Sequence, residues 1–508
     1  MELNANIVVP ANFSAENWIS YFDTSSDVYR EKHGNVPKYC DSDFPLVSTL
    51  GKLAFDDGTI CDIYMIKVSR SLTERASRRK QFDKATDIIK QENTQAGLFV
   101  FYDEFHSFRL SLVYPVYKGT KRTFSNYRRH SFYVSGDLPN KTYLLQLNKH
   151  KLDSMGDLKD IFSVDKVSAL FYEEFEKEYT RLQTGIKNRY DQDVDQDLLG
   201  NFALLFVIRI IFLGFVQKKG WLGENANFIR DYLGTYNPSI HQQGIYQDLL
   251  CPLFFSALNS APSSKNKYGF PNIQEPFKTH LVTAPYLNGG LFRPHEDYDT
   301  EALIITNEAI IKFVTFLFSF NFTLEENTLY DEELELNPEF LGIIFEKLIN
   351  KAHGAIYTPR LEVDFMCRLS LVKYLQQNCL ASISLENLYK LFFPEYGADN
   401  EQTAGDFTEE EAHYLLEKLE TVTVCDPAIG SGAFAVGMLN VIDEIECSIH
   451  EHFLPDKPVS SPYERKKRII FQSLYGVEVK QWAVWITQLR LWITLLIEAE
   501  DSFKHSEE

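Results

Sequence analysis

A glycine-rich turn near the C-terminal end of the chain has the residue types that could bind a small-molecule cofactor. It runs Asp426-Pro427-Ala428-Ile429-Gly430-Ser431-Gly432-Ala433-Phe434. The apolar, β-branched residues 421–425 before it predict a buried strand, and residues 433–445 after it predict a helix. A strand, a glycine turn and a helix together let the backbone approach a ligand closely at a helix N-terminus. A phosphate-binding loop is not indicated, because the Lys-Ser/Thr pair that would reach phosphate and metal is missing.

A second buried strand is predicted at residues 473–479, and it ends in the carboxylate of Glu478. Such an acid can accept hydrogen bonds from both ribose hydroxyls in nucleotide-binding α/β folds. The distance from Gly432 exceeds the roughly 20 residues of a minimal unit. The connection must therefore hold an insertion, and the proline-containing stretch 454–462 is its obvious place. Taken alone, Glu478 would be a solvated acid at a strand end.

The segment Tyr357-Thr358-Pro359 precedes an amphipathic helix that we predict over residues 361–375. Thr358 can cap that helix, and Pro359 suits its first turn. Taken alone, the segment is a helix-capping motif.

Composition favours a large protein of several domains with reduced thiols. The chain has 508 residues, 44% of them apolar, and its seven cysteines are scattered without close pairs. That pattern excludes a zinc ribbon and is typical of a cytoplasmic protein. We expect no secretory signal in residues 1–10. The longest apolar segments, 203–216 and 482–497, are short or interrupted by arginine, so no membrane span is expected.

The net charge of −20 argues against a passive nucleic-acid coat protein, but the charge is unevenly distributed. One basic cluster consists of Lys67, Arg70, Arg75, Arg78, Arg79 and Lys80. A second consists of Lys118, Lys121, Arg122, Arg128, Arg129 and His130, with aromatic residues between them. Such residues can grip phosphate and stack on bases. A solvated helix face and a solvated hairpin explain the two clusters equally well.

Residues 1–150 are predicted to form an α/β domain. Its expected elements are strands at 60–68, 97–102, 108–114 and 131–134, a hairpin turn at 103–107 and a helix at 74–92. The nearest candidates for a nuclease centre are Asp57, Asp62 and Lys67. Asp62 and Lys67 are five apart on one strand, so they would lie on opposite faces of the sheet. A metal-dependent nuclease needs these groups to converge on one metal-bound water. We therefore expect neither an active nuclease centre nor a metal site.

Residues 151–352 are predicted to form a helical connector domain, and residues 353–508 contain the cofactor signals. Helices are expected at 169–183 and 196–216, the second with apolar residues on most faces, as in a buried helix. The final helix has a wide apolar stripe formed by Trp482, Trp485, Leu489, Trp492 and Leu496. We expect this stripe to need a covering sheet and, without one, to promote association.

Several of these segments together resemble one enzyme family. The glycine turn, the Tyr357-Thr358-Pro359 segment and Glu478 are similar to the three cofactor motifs of amino-type DNA methyltransferases. Further similar strings are Phe108–Leu112, Gln217–Leu222, Leu287–Gly290 and Pro338–Gly342. The chain thus resembles the N-terminal part of a large adenine-specific DNA methyltransferase of the Type IIG and related single-chain restriction–modification or phage-defence families. The resemblance covers nearly the whole chain and is strong from Asn201 onward.

The resemblance implies a fold and a cofactor. The first part of a doubly wound, Rossmann-like methyltransferase domain would follow the α/β and helical domains, and the cofactor would be S-adenosylmethionine. By analogy, Tyr357, Thr358 and Pro359 would flank the methionine moiety. Asp426, Pro427, Ala428, Gly430, Ser431 and Gly432 would wrap its amino and carboxylate ends. Phe434 would pack below the cofactor, and Glu478 would hold the ribose.

The family methylates the exocyclic amine of an adenine that is flipped out of double-stranded DNA. It orients that amine with an Asp/Asn-Pro-Pro-aromatic motif, which this sequence lacks. Asn237-Pro238-Ser239 and Asn337-Pro338-Glu339 have one proline each and precede the glycine turn, so neither is a credible substitute. No catalytic residue is therefore assigned. We expect a second, C-terminal polypeptide to supply the rest of the methyltransferase domain and the target-recognition region.

Two other function classes stay open. The first is a restriction endonuclease whose cutting centre lies in residues 1–150, which a convergent set of acids and a lysine would support. The second is a specificity or regulatory subunit that binds cofactor or DNA without transferring a methyl group.

Overall fold

The computed structural model places most of the chain in two compact units. The described residues are 4–73, 78–118, 121–125, 130–162, 164–190, 193–287, 290–320, 322, 358–378, 380, 382–393 and 405–499. Within them, the first unit comprises residues up to Phe175 together with Phe316–Phe322, and the second comprises the others. The chain is a mixed α/β protein with a large helical content. The boundary expected at residue 352 lies outside the described residues.

The helices and strands are numbered in chain order. The helices are α1 Ala15–Ser25, α2 Arg78–Glu92, α3 Lys141–Lys149, α4 Met155–Ile161, α5 Val164–Thr184, α6 Gln196–Lys218, α7 Phe228–Gly234, α8 Pro262–Lys265, α9 Phe277–Thr283, α10 Asn307–Leu317, α11 Arg360–Asn378, α12 Leu385–Phe392, α13 Glu409–Thr421, α14 Ala433–Phe453, α15 Pro462–Arg468 and α16 Gln481–Glu498. The strands are β1 Tyr29–Asn35, β2 Leu46–Ala54, β3 Ile60–Lys67, β4 Ala96–Tyr102, β5 Phe108–Val113, β6 Pro115–Lys118, β7 Lys121–Phe124, β8 Ser131–Val134, β9 Ile186–Asn188, β10 Leu303–Ile305, β11 Val424–Asp426 and β12 Leu474–Gly476.

A six-stranded sheet organises the first unit, in the order β1-β2-β3-β4-β5-β8. Strands β3 and β4 are parallel and are connected through α2, whereas the other neighbours are antiparallel. Apolar side chains cover both faces. Cys61, Ile63 and Met65 contribute to one core, and Tyr64 and Ile66 contribute to a second core on the opposite face. The four strands expected in this region are confirmed to within a residue or two, while β1, β2, β6 and β7 were not predicted.

The paired positions of β3 confirm that Asp62 and Lys67 point to opposite faces. The register between β3 and β4 is continuous from Cys61 to Lys67, so side chains alternate without a bulge. Asp62 therefore shares the face of Tyr64, and Lys67 shares the face of Met65. No group of three His, Cys, Asp or Glu side chains that could hold a metal occurs among the described residues.

Buried Asp103 fixes the turn between β4 and β5. Its two carboxylate oxygens accept hydrogen bonds from the backbone N–H groups of Leu72 (2.7 Å), Phe105 (2.9 Å) and Ser107 (3.0 Å). Because a buried carboxylate needs such donors, this acid has a structural role and is not a candidate for metal binding. The hairpin turn expected at residues 103–107 is confirmed.

Helix α6 forms the centre of the second unit, and it confirms the expected buried helix. Its length and composition alone would suit a membrane span, but 83% of its most apolar window is buried inside the protein. The guanidinium of Arg209 lies within this apolar helix and is 1% exposed. It is neutralised by two hydrogen bonds to Asp299, at 2.8 and 2.9 Å. The arginine that interrupts the apolar segment is therefore the centre of a buried ion pair.

Most of the apolar stripe of α16 is covered: Trp485, Leu489 and Leu496 are buried, whereas Trp482 and Trp492 are half-buried. Helix α16 packs against α6, and Trp485 is 5% exposed, with its ring edge-on to His295 and Tyr298. At the end of the helix, Lys219 Nζ donates to the carbonyl of Ile497 at 2.9 Å. The sequence led us to expect a sheet over this stripe, but α6, a helix distant in sequence, supplies much of the covering surface.

Lys265, at the end of α8, is expected to make the stability of the second unit depend on pH. The residue is fully buried, and its Nζ donates to the carbonyl of Ala284. Burial lowers the pKa of Lys265 to about 8, against roughly 10.4 in an unfolded chain. Between these values the unfolded chain binds more protons than the folded chain, so the free energy of unfolding rises with pH across this window.

Replacing Lys265 by methionine should remove that rise. Urea unfolding followed by tryptophan fluorescence reports mainly on the second unit, which contains Trp221, Trp482, Trp485 and Trp492 of the five tryptophans. The urea midpoint is measured for both proteins over a pH series. As the pH rises above about 8, we expect the midpoint of the natural chain to increase relative to that of Lys265→Met. Lys187→Met, at an exposed lysine of β9, is the control. A difference that stays constant with pH would contradict the prediction.

Candidate cofactor site

The glycine turn follows the first of two short parallel strands. Strands β11 and β12 pair in register, with Asp426 opposite Gly476. Beyond the ladder, the Val477 N–H donates to the Asp426 carbonyl at 2.9 Å, and the Ile429 N–H donates to the Val477 carbonyl at 3.1 Å. Because the carboxyl ends of parallel strands meet at one edge, the segments that follow β11 and β12 lie side by side, as ligand-binding α/β sheets require.

Local hydrogen bonds and two left-handed glycines shape the turn. Asp426 Oδ1 accepts from the Ala428 N–H at 3.0 Å, and the Gly432 N–H donates to the Ile429 carbonyl at 2.9 Å. Gly430 and Gly432 have φ angles of +55° and +80°, and Gly432 leads directly into α14. A side chain is disfavoured at such φ angles, so the glycines are needed for the backbone path.

Glu478 reaches the glycine turn across 48 residues of sequence. Its Oε2 accepts from the Gly430 N–H at 3.0 Å, and its Oε1 accepts from the N–H groups of Val479 and Lys480 at 2.8 and 2.9 Å. A carboxylate has about four acceptor positions, so at most one is left for a further donor in this arrangement. One ribose hydroxyl could use that position, and the second would have to share or replace one of these backbone donors.

Helix α11 packs along α14, the helix that follows the turn. A Cβ added at Gly437 would lie 2.5 Å from Val363, and the Cys367 thiol contacts the Phe434 carbonyl at 3.9 Å. Burial raises the pKa of the Cys367 thiol to about 12, so it stays protonated. Phe434 itself is half-buried against the C-terminal core. The helix expected at 361–375 is confirmed with bounds of 360–378.

The structure brings together only part of the predicted site. Asp426, Gly430, Gly432 and Glu478 meet at the turn, as described above. Thr358 and Pro359 directly precede α11, and within the described residues no hydrogen bond joins them to the turn. Tyr357 lies outside the described residues. The assignment of these three residues to the methionine moiety stays a prediction.

The two strands of the site are not buried, which corrects the expectation from the sequence. On and after β12, Tyr475 is 55% exposed, Val477 58% and Val479 92%, and Cys425 of β11 is also exposed. Parallel strands are buried when helices and further strands cover both faces. Here β11 and β12 pair only with each other among the described residues. The apolar sequence was therefore a correct sign of strand but not of burial.

Two functional candidates on α16 were missed by the sequence analysis. Thr487 Oγ1 donates to the Gly430 carbonyl at 2.9 Å, and Arg490 Nη1 donates to the Ser431 carbonyl at 3.0 Å. The signal available was a pair of polar residues three apart on an otherwise apolar helix. The sequence analysis did not use this signal, because the tryptophan and leucine stripe dominates the pattern of the helix.

The two basic clusters differ in how much of them the structure describes. In the first, Lys80 pairs with Asp43 at 3.1 Å, whereas Arg70 and Arg79 are exposed. In the second, the register of the β6–β7 hairpin places Lys118 opposite Lys121. Arg75, Arg128 and Arg129 lie outside the described residues.

The residues at the turn fit a cofactor with an amino-acid end and a ribose. The N-terminus of α14 has the positive end of a helix dipole, which favours a carboxylate. Space is open above Gly430, where the nearest atom to an added Cβ is the Ala428 carbonyl oxygen at 3.9 Å. Glu478 provides the acidic group that a ribose needs.

Comparison with known proteins gives matches that agree with this geometry. Residues 401–507 match the family described as MmeI, DNA-methyltransferase domain. A protein of Methanocaldococcus jannaschii, named as a type II restriction enzyme and methyltransferase, is 31% identical over 313 residues. The match covers 58% of this chain and 25% of that protein, so the chain spans about a quarter of its relative's length.

A solved structure is also similar, at a lower level. The Type IIL restriction-modification enzyme MmeI in complex with DNA shares 17% identity and a TM-score of 0.38, over 64% of this chain and 36% of that one. A TM-score this low does not establish a shared fold. The sequence matches support a methyltransferase domain of the restriction–modification type.

Proposed function

We propose that this chain is the cofactor-binding part of an adenine-specific DNA methyltransferase of a restriction–modification or phage-defence system. It would take part in transfer of a methyl group from S-adenosylmethionine to N6 of adenine in double-stranded DNA. The observation that carries the proposal is the contact between Glu478 and the Gly430 N–H. It joins an acid suited to ribose with a turn suited to an amino acid, inside the range that matches a methyltransferase domain.

The residues present would bind and orient the cofactor. S-adenosylmethionine, when bound, supplies an activated methyl group. The N-terminus of α14 would hold the carboxylate end through its dipole, Glu478 would accept from the ribose hydroxyls, and Phe434 would support the cofactor from below. By holding the cofactor, these contacts would set the position of its methyl group. Holding the reacting groups in the right geometry lowers the barrier to such a transfer.

The groups that orient the target amine would come from polypeptide other than residues 1–508. The sequence contains no Asp/Asn-Pro-Pro-aromatic motif, and an exocyclic amine is too weak a nucleophile to react without being oriented. The exposed side chains of Tyr475, Val477 and Cys425 support a partner that covers β11 and β12. Strands from that partner, together with β11 and β12, would complete a doubly wound, Rossmann-like sheet. We also propose a cytoplasmic location, because the seven cysteines are scattered along the sequence without close pairs.

Methyl transfer to unmethylated DNA tests the proposal. Transfer of labelled methyl from S-adenosylmethionine is measured with this chain alone and with the polypeptide encoded immediately downstream. We expect no transfer by the chain alone and N6-methyladenine with both polypeptides. Glu478→Gln should then abolish most of the transfer. Cofactor binding without transfer in either case would favour a regulatory DNA-binding subunit.

The β6–β7 hairpin is expected to contribute to DNA affinity. Charge reversal at Lys121 and Arg122 should remove about two phosphate contacts, which reduces the slope of log affinity against log salt by about two. The expected loss of affinity at moderate salt is about tenfold and independent of DNA sequence. Fluorescence anisotropy over a salt series measures both quantities. Lys187→Glu, in the exposed part of β9, is the control. It changes the net charge by half as much as the double variant, so half of the logarithmic loss of affinity with this control would show that only net charge matters.

A further inference from the structure

Helix α16 holds the glycine turn through the turn's own carbonyl groups. Thr487 binds the carbonyl of Gly430, and Arg490 binds that of Ser431, at 2.9 and 3.0 Å. The two side chains are three residues apart and so lie on one face of the helix. They are 6% and 8% exposed. These contacts are shielded from water. Hydrogen bonds in the protein interior are stronger than in water and hold their geometry more firmly.

Thr487 also packs directly against the last glycine of the turn. A Cβ added at Gly432 would lie 2.8 Å from Thr487 Oγ1 and 2.9 Å from its Cγ2. Thr487 thus contacts the turn twice, once by a hydrogen bond and once by packing. This close approach fixes how near the turn and the first residue of α14 lie to α16.

Fixing a carbonyl also fixes the N–H of the same peptide. A trans peptide is planar, so its C=O and N–H point in opposite directions. The bond from Thr487 to the Gly430 carbonyl therefore turns the Ser431 N–H away from Thr487. The bond from Arg490 to the Ser431 carbonyl fixes the orientation of the next peptide. The N–H of that peptide belongs to Gly432 and donates to the Ile429 carbonyl. The direction of the N–H groups in the turn is thus decided by α16 as well as by the glycines.

Arg490 brings a buried positive charge to this end of α14. In the described part of the chain its partner is a carbonyl oxygen, and no carboxylate forms an ion pair with it. A positive charge beside a helix N-terminus adds to the dipole and favours an anionic group there. The carboxylate of a methionine moiety is such a group.

We propose that Thr487 and Arg490 are positioning residues for the amino-acid end of the cofactor. They act through the glycine turn and need not touch the cofactor. The inference rests on the proposed function, since it requires the turn to bind that end of S-adenosylmethionine. It goes further by separating the two ends of the ligand, because Thr487 and Arg490 should affect binding of the amino acid and not of the nucleoside.

The test compares two ligands that differ only by the amino-acid end. S-adenosylhomocysteine contains it, and 5′-methylthioadenosine lacks most of it. Their dissociation constants are measured calorimetrically with the full 508-residue chain. Thr487→Val removes the hydroxyl at nearly constant shape, and Thr487→Ser restores it. Thr494→Val, the same substitution at a buried threonine two turns further along α16, is the matched control.

We expect Thr487→Val to weaken S-adenosylhomocysteine binding about five- to tenfold, as loss of one hydrogen bond implies. Binding of 5′-methylthioadenosine should be unchanged, and Thr487→Ser should recover most of the loss. Arg490→Gln should show the same selectivity and provides a second route should Thr487→Val fail to fold. Equal weakening of both ligands, or of neither, would overturn the inference. A natural chain that binds neither ligand would overturn the proposed function itself.

Discussion

Arg209→Met should destabilise the second unit by about 3–5 kcal/mol, which is the cost of leaving a buried acid without its partner. Arg209 and Asp299 are 1% and 0% exposed, so solvent cannot replace the lost charge. The guanidinium also donates to the carbonyls of Leu291 and Arg293, at 2.8 and 3.0 Å. One substitution therefore removes four hydrogen bonds between α6 and residues 291–299. Because whole domains are stable by only about 5–15 kcal/mol, we expect largely insoluble protein at 37 °C.

The neighbouring phenol of Tyr246 does not compensate Asp299 for the loss of Arg209. Burial raises the pKa of Tyr246 well above its usual value, so its hydroxyl stays protonated and donates to Asp299. The backbone N–H of His295 also donates to Asp299, at 2.7 Å. These neutral donors do not balance a buried negative charge. Adding Asp299→Leu to Arg209→Met should therefore recover part of the stability, because it removes the uncompensated acid.

Urea unfolding monitored by tryptophan fluorescence measures these effects. Arg230→Met, at an exposed arginine of α7, is the control and should change stability by less than about 0.5 kcal/mol. If Arg209→Met proved as stable as this control, the ion pair would contribute nothing and the assignment of its role would be wrong.

Gly432→Ala should reduce the affinity for S-adenosylhomocysteine by at least about 30-fold, the equivalent of about 2 kcal/mol. Two costs add at this position. A non-glycine residue at φ +80° costs roughly 1–2 kcal/mol. The added Cβ would also lie 2.8 Å from the side chain of Thr487, whose hydroxyl is held by the Gly430 carbonyl. The turn must shift to accommodate the methyl group, and its N–H groups shift with it.

The control for this variant is Gly234→Ala, at the end of α7. An added Cβ there meets nothing within 4 Å, and its φ does not lie in the left-handed region. We expect its affinity to equal that of the natural chain. Thermal unfolding of both variants separates a local change in the turn from a loss of folded protein. Normal affinity in a correctly folded Gly432→Ala variant would show that this turn does not hold the cofactor.

The local parts of the fold were predictable because they depend on neighbours in sequence. Alternation of apolar residues predicted β3, β4, β5 and β8. The glycine turn followed from its own residues, since a left-handed backbone needs glycine whatever lies around it. The sequence also predicted a strand over residues 473–479, whereas β12 is shorter and ends at Gly476, two residues before Glu478. It did not indicate that the strand would be exposed, because burial depends on what covers it.

The sequence by itself determined the residue types present: a glycine turn after a strand, an acid after the next strand and no Asp/Asn-Pro-Pro-aromatic motif. The tertiary structure decided which distant residues meet. It paired Arg209 with Asp299 across 90 residues, joined Glu478 to Gly430 and covered the stripe of α16 with α6. It also placed Thr487 and Arg490 beneath the turn. The physical reason is that periodicity and turn chemistry act over a few residues, whereas packing joins any surfaces that fit.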